Sequence, residues 1–200
     1  MPVTYQNALM AFNSAKRATF IMLNEGKLEQ MIAESPNLHK MRYTYLHRQA
    51  IFNVAKSLNI DPTPYLLHDT EKYFMYLWME ENMTRGCHRL LNKHHYYNLG
   101  PALNKEILIE MMLDWESARF SKTDKPLNAY ETLIKWMPHV IYEPMIEVLK
   151  EYGLDSEEHG PGITEEEYKE QSEAVTPAMI VDEIRKCANL HFEEVPYSGG

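Results

Sequence analysis

The chain has 200 residues, 44% of them hydrophobic, which suits one domain with a sizeable core or a domain plus a small appendage. Eight glycines set against 13 methionines favour helix over sheet. A formal net charge of −9 speaks against general nucleic-acid binding through counterion release, yet leaves room for a small phosphorylated substrate where a bound cation inverts the local field.

Residues 3–33 read as one amphipathic helix with a weak point at Gly26. Ser35-Pro36 marks the start of a second helix over about 37–58. Asp61-Pro62 repeats that signal for a third, running from about 62 towards Gly86. Residues 87–98 are polar and histidine-rich, and read equally as helix or loop. Gly100-Pro101 then breaks the chain. Asn104 caps a fourth helix over about 105–120, and helices at 129–136 and 139–152 follow, separated by Pro138, with a bend expected at Pro144. The stretch 153–172 reads as an acidic linker with Thr164 capping a short helix; its charge is that of a solvated face, or of a docking element. Thr176-Pro177 opens a last helix over about 177–190. The expected architecture is all-α: a helical domain over 1–152 and a C-terminal helical appendage over 153–200.

Cys87 and Cys187 make no CxxC and no disulfide framework. No signal peptide opens the chain and no apolar run reaches about 18 residues. The expected setting is therefore cytoplasmic, with no membrane partner.

Nine histidines stand out, and their placement carries the chemistry. His47, the adjacent pair His68-Asp69, and Asp114 are expected on three separate helices, which can carry ligand side chains into a bundle core. Asp114 lies among Met111, Met112 and Trp115, where an uncompensated charge is costly; Glu110, one turn earlier, reads equally as a support for it or as solvated. Imidazole and carboxylate together suit Zn, Mn, Fe, Co or Ni, and a water on such an ion ionises near neutral pH and can attack phosphorus. His88, Asn92 and His95 fall on one face if their segment is helical, with His94 pointing elsewhere. His88, His94 and His95 could hold a second ion sharing Asp69, or contact phosphate. Lys72, one turn after His68, can neutralise phosphate charge, and Asn92 can orient substrate. The tyrosines at 43, 45, 73, 76, 96 and 97 read as core and rim, or as a stacking surface for a base.

The order His47…His68-Asp69…Asp114 resembles the HD-domain metal phosphohydrolases. "HRQAIFNVAKSLNI", "LLHDTEKY", "CHRLLNKHHYYNL" and "EMMLDWESA" are similar to a little-characterised HD-like branch of bacteria and phages, over about residues 40–137. The resemblance implies an HD-type helical bundle, with one metal on His47, His68, Asp69 and Asp114. The expected cofactor is a divalent ion (Mn, Zn, Co, Ni, Mg or Fe), or two; the resemblance implies a bridging role for Asp69 when a second ion is present, and a phosphate contact from Lys72. Glu71 departs from the serine usual in that branch. His39 competes with His47 as first ligand. The expected activity is hydrolysis of a phosphoester or phosphoanhydride, with a nucleotide as partner. The alternatives are a di-iron oxygenase on the same scaffold and a non-catalytic helical binding protein. A homo-oligomer stays open.

Overall fold

The structure, a computed structural model, describes residues 4–95 and 103–193, the side chains of 189–193 excepted. Among the described residues there are ten α-helices and no strand. The chain divides into two compact units: Met1–Tyr45, Leu66–Leu91 and Glu173–Gly200 form the first; Leu46–Tyr65 and Asn92–Ser172 form the second.

In the first unit, the helix expected over 3–33 is two helices, α1 (Tyr5–Asn24) and α2 (Leu28–Glu34). Gly26 separates them at φ +70°, a left-handed conformation that glycine adopts without a Cβ clash. Thr4 caps α1 by accepting from the Asn7 amide. The helix expected over 62–86 is likewise interrupted. It gives way to α4 (Glu71–Trp78) and α5 (Glu81–Leu91), divided where Met79 turns extended. Asn37 stabilises this break: its side-chain amide donates to the carbonyls of Tyr76 and Met79 at 2.9 and 3.1 Å, satisfying acceptors that the end of α4 leaves open. α1 packs on α4 and α5. There Ala8, Met75 and Cys87 are buried, and the Phe74 ring sits against Phe12 and Phe20 at 6.0 and 5.6 Å between centroids. α10 (Pro177–Glu193), started by Thr176 accepting from the Met179 amide, packs on α2. Leu28 and Ile32 on α2, and Ile180 and Ile184 on α10, are fully buried.

In the second unit, α3 (Leu38–Ser57), which begins in the first unit, contributes Ile51, Val54 and Ala55 to a core with Met111, Met112, Leu133, Met145 and Leu149. These come from α6 (Lys105–Ala118), α7 (Ala129–Trp136) and α8 (Tyr142–Glu151). Asn104 caps α6 as expected, accepting from the Ile107 amide. Pro144 lies in the first turn of α8, where its missing N–H is one the helix leaves unpaired anyway. The acidic stretch before α9 (Glu165–Ala174) is tied down within this unit. Arg119 donates to the Gly160 carbonyl, and its own carbonyl accepts from Ile163. A Cβ on Gly162 would stand 3.0 Å from that Arg119 oxygen, so this close approach favours glycine.

Candidate metal centre

The first unit gathers His68, Asp69, Glu71, Lys72 and His88. His68 and Asp69 lie in the turn that precedes α4, not inside a helix as the sequence led us to expect. Thr70 closes that turn, its amide and hydroxyl both donating to the Leu67 carbonyl. Asp69 sits at φ +61°, and this left-handed residue breaks the expected helix ahead of α4. The kink aims the Asp69 carboxylate at three cationic or imidazole groups. Oδ2 accepts from Lys72 Nζ at 2.7 Å, while Oδ1 lies 3.5 Å from Nε2 of both His68 and His88.

Those two 3.5 Å separations exceed the range of a good hydrogen bond. They match the spacing of neighbouring ligands around one cation: donors about 2.1 Å from a tetrahedral ion stand roughly 3.4 Å apart. His88 Nδ1 meets Glu71 Oε1 at 2.5 Å, which leaves Nε2 directed to Asp69. Donor atoms of Asp69, Glu71 and His88 all lie within 4.8 Å of one another, and all three residues are buried.

Charge in this group is balanced by position. Burial pushes the His88 imidazole below its ordinary value, and the Lys72 ammonium adds to the effect against the pull of Asp69 and Glu71. Burial works to raise the Glu71 carboxyl, but the His88 ring and its hydrogen bond, together with Lys72, hold it below the ordinary carboxylate range. Burial opposes the charge on Lys72, yet Asp69, Tyr43 and Glu71 outweigh it and raise that ammonium. His88 Nδ1 thus stands against a carboxyl held below its ordinary range, and Lys72 Nζ against Asp69 Oδ2. A neutral imidazole whose other nitrogen is held by a carboxylate is the arrangement typical of metal-binding histidines.

The second unit gathers His47, Asp114, His94, His95 and Glu110. His47 is 1% exposed, on α3; His39 in the same helix is exposed. His47 Nε2 lies 2.9 Å from Asp114 Oδ1, and Nδ1 lies 2.9 Å from the Ser121 hydroxyl. Ser121 also has the Ser117 carbonyl within 3.3 Å. One hydroxyl proton therefore has two acceptors in reach. Donated to His47 Nδ1, it leaves Nε2–H to donate to Asp114 Oδ1; donated to Ser117, it frees the oxygen to accept Nδ1–H. His94 Nδ1 lies 3.1 Å from Glu110 Oε1, and donor atoms of His94 come within 4.8 Å of both Asp114 and His95.

The helical face expected to join positions 88, 92 and 95 does not form. α5 ends at Leu91, so Asn92, His94 and His95 occupy the following turn, and His94 is buried instead of pointing away. Asn92 supports that turn through its carbonyl, which accepts from the His95 amide. Tyr73, Tyr76 and Tyr65 are buried, whereas Tyr43 and Tyr45 are half-buried; Tyr96 and Tyr97 lie outside the described residues. Glu71 and Ser121 were the residues that sequence reading passed over. Glu71 showed only as a departure from a family pattern, and Ser121 followed Asp114 at i+7 without a motif to mark it.

No family model, no curated protein and no solved structure matches this chain. No helix among the described residues is long and apolar enough to cross a membrane. Fold and site together define an all-helical protein with buried imidazole and carboxylate groups able to hold a metal ion.

Proposed function

We propose that this chain is a metal-dependent phosphohydrolase of the HD type, cleaving a phosphoester or phosphoanhydride of a nucleotide. One observation carries the reading: a single buried carboxylate oxygen, Asp69 Oδ1, stands at ligand–ligand distance from two imidazole nitrogens. This occurs on the His-Asp dipeptide that the sequence order singles out. A divalent ion held there supplies Lewis acidity and an acidified water. With such an ion bound, the water oxygen would bond to phosphorus as the P–O bond to the leaving group breaks, and the proton the water gives up would pass to the departing oxygen. Asp69 and His88 would hold the ion, with Glu71 against His88. Lys72, 2.7 Å from Asp69 Oδ2, fixes the carboxylate and places a cation beside the site, where it can offset charge growing on phosphoryl oxygens.

The test is elemental analysis of the purified full-length protein, paired with a screen of nucleotides across added divalent ions. In Asp69→Asn, bound metal and turnover should both be lost while the circular dichroism spectrum stays helical. Unchanged metal content in that variant would remove the assignment. One carboxylate and two imidazoles, the set made by Asp69, His68 and His88, also suit iron, so bound iron with a redox-sensitive absorbance and no hydrolysis would instead favour the oxygenase alternative.

A further inference from the structure

We infer that Glu71 is a positioning residue: it fixes His88 in the Nδ1–H tautomer and so presents Nε2 towards Asp69. Its relevance to metal binding rests on the reading of His88 and Asp69 as ligands, but the tautomer itself does not. The geometry is specific to these three side chains. Glu71 is the first residue of α4 and His88 lies near the end of α5, two helices that pack on each other. The contact joins Nδ1 to Oε1 at 2.5 Å, with both side chains 7% exposed. A buried imidazole presents one nitrogen outward only if the other is committed. Glu71 Oε1 lies within bonding distance of Nδ1, and an ionised carboxylate accepts but cannot donate.

A serine at this position, as the resemblance would have supplied, has a side chain two carbons shorter than glutamate. It would leave His88 to choose its own tautomer. Glutamate reaches the ring and brings a negative charge, which makes Nε2 a stronger electron donor and favours a dication over a neutral ligand.

Histidine-selective ¹⁵N labelling of the metal-free full-length protein at neutral pH reads the tautomer directly from the long-range ring correlations. The expected wild-type pattern for His88 is Nδ1–H, retained in Glu71→Gln, whose amide oxygen can still accept, and lost in Glu71→Ala. Manganese and zinc titrations should then show an affinity lower by roughly 10–100-fold in Glu71→Ala, with Glu71→Gln falling between it and wild type. An Nε2–H pattern in the wild-type protein overturns the inference, as does an unchanged pattern in Glu71→Ala. If Glu71→Gln loses affinity as fully as Glu71→Ala, Glu71 is a ligand and not a positioning group, and the inference again fails. Should Glu71→Ala not fold, the wild-type and Glu71→Gln spectra still decide it. A protein that shows the expected tautomer yet binds no divalent ion would sink the hydrolase reading and leave this inference standing.

Discussion

At Asp69 the backbone and the chemistry depend on each other. A left-handed φ of +61° costs an ordinary L-residue about 1–2 kcal/mol, and aspartate tolerates it better than most. Both alanine and glycine at this position delete the carboxylate and leave Lys72 without its partner, a loss common to the two variants. They differ in the backbone term. Asp69→Gly is therefore expected to be more stable than Asp69→Ala by about 1 kcal/mol, the reverse of their order in a helix interior. Urea unfolding of the two variants measures the difference; alanine equal to or better than glycine would mean that the turn does not impose this conformation. The His-Asp dipeptide was legible in the sequence because chain order alone marks it. Its left-handed turn was not legible, since neither Gly nor Asn announces it and the surrounding Leu66, Leu67, Phe74 and Leu77 continue a helical period. Glu71 was hidden for a related reason: an acidic residue opening a helix looks like ordinary dipole compensation.

Helix ends were read best where a side chain does the capping. Asn104, Thr164 and Thr176 all cap as expected: each accepts from a main-chain amide three residues on. Ends made by tertiary contact were invisible, the gap between α4 and α5 above all, because Asn37 is far from it in sequence. α7 shows what a local cap can do. Asn128 and Glu131 form a capping box, and Glu131 also bonds Lys135 at 2.9 Å and His159 at 2.8 Å. The Lys135 bond, helped by His159 and the Asn128 amide, holds the Glu131 carboxyl below its ordinary 4.5 despite some burial. A carboxyl whose folded value is depressed releases its proton more readily in the native state. Its contribution is thus complete above about 4.5 and is lost as pH falls through the folded value. Glu131→Gln keeps the box but drops the charge. It should cost roughly 0.3–1 kcal/mol at pH 7, the scale of part-exposed ion pairs, and the gap from wild type should close below pH 4.5. Thermal melts at pH 7 and pH 3.5 check this. A gap that persists undiminished in acid would place the effect in packing, not charge.

Over the whole chain, the two units are interleaved: the chain passes from one to the other at 45/46, 65/66, 91/92 and 172/173. Composition alone makes the residues after 152 look like an acidic linker and an appendage, because glycines and carboxylates dominate 153–172. Periodicity locates α10 but cannot say what covers it, since an amphipathic helix reads the same on a core as on a partner. In the structure Val175, Ile180, Val181 and Ile184 are all buried in the first unit, and Arg42 of α3 donates to the Val175 carbonyl. At about 1.5–3 kcal/mol for each buried aliphatic side chain, these four together supply roughly 6–12 kcal/mol. That is comparable with the entire net stability of a typical domain, about 5–15 kcal/mol. Ending the chain at Ser172 is therefore expected to unfold the first unit, and with it the arrangement of Asp69, Glu71 and His88. The predicted signs are a large loss of helical circular dichroism, rapid proteolysis within residues 5–34 and 71–91, and no divalent-ion binding. A truncated protein that melts cooperatively near the wild-type temperature and still binds metal would show that α10 is dispensable to this core. Point variants separate packing from chain length: Ile180→Ala and Ile184→Ala in the full chain should each cost about 2–5 kcal/mol, whereas Asp182→Ala, on the exposed side of the same helix, should stay within about 0.5 kcal/mol.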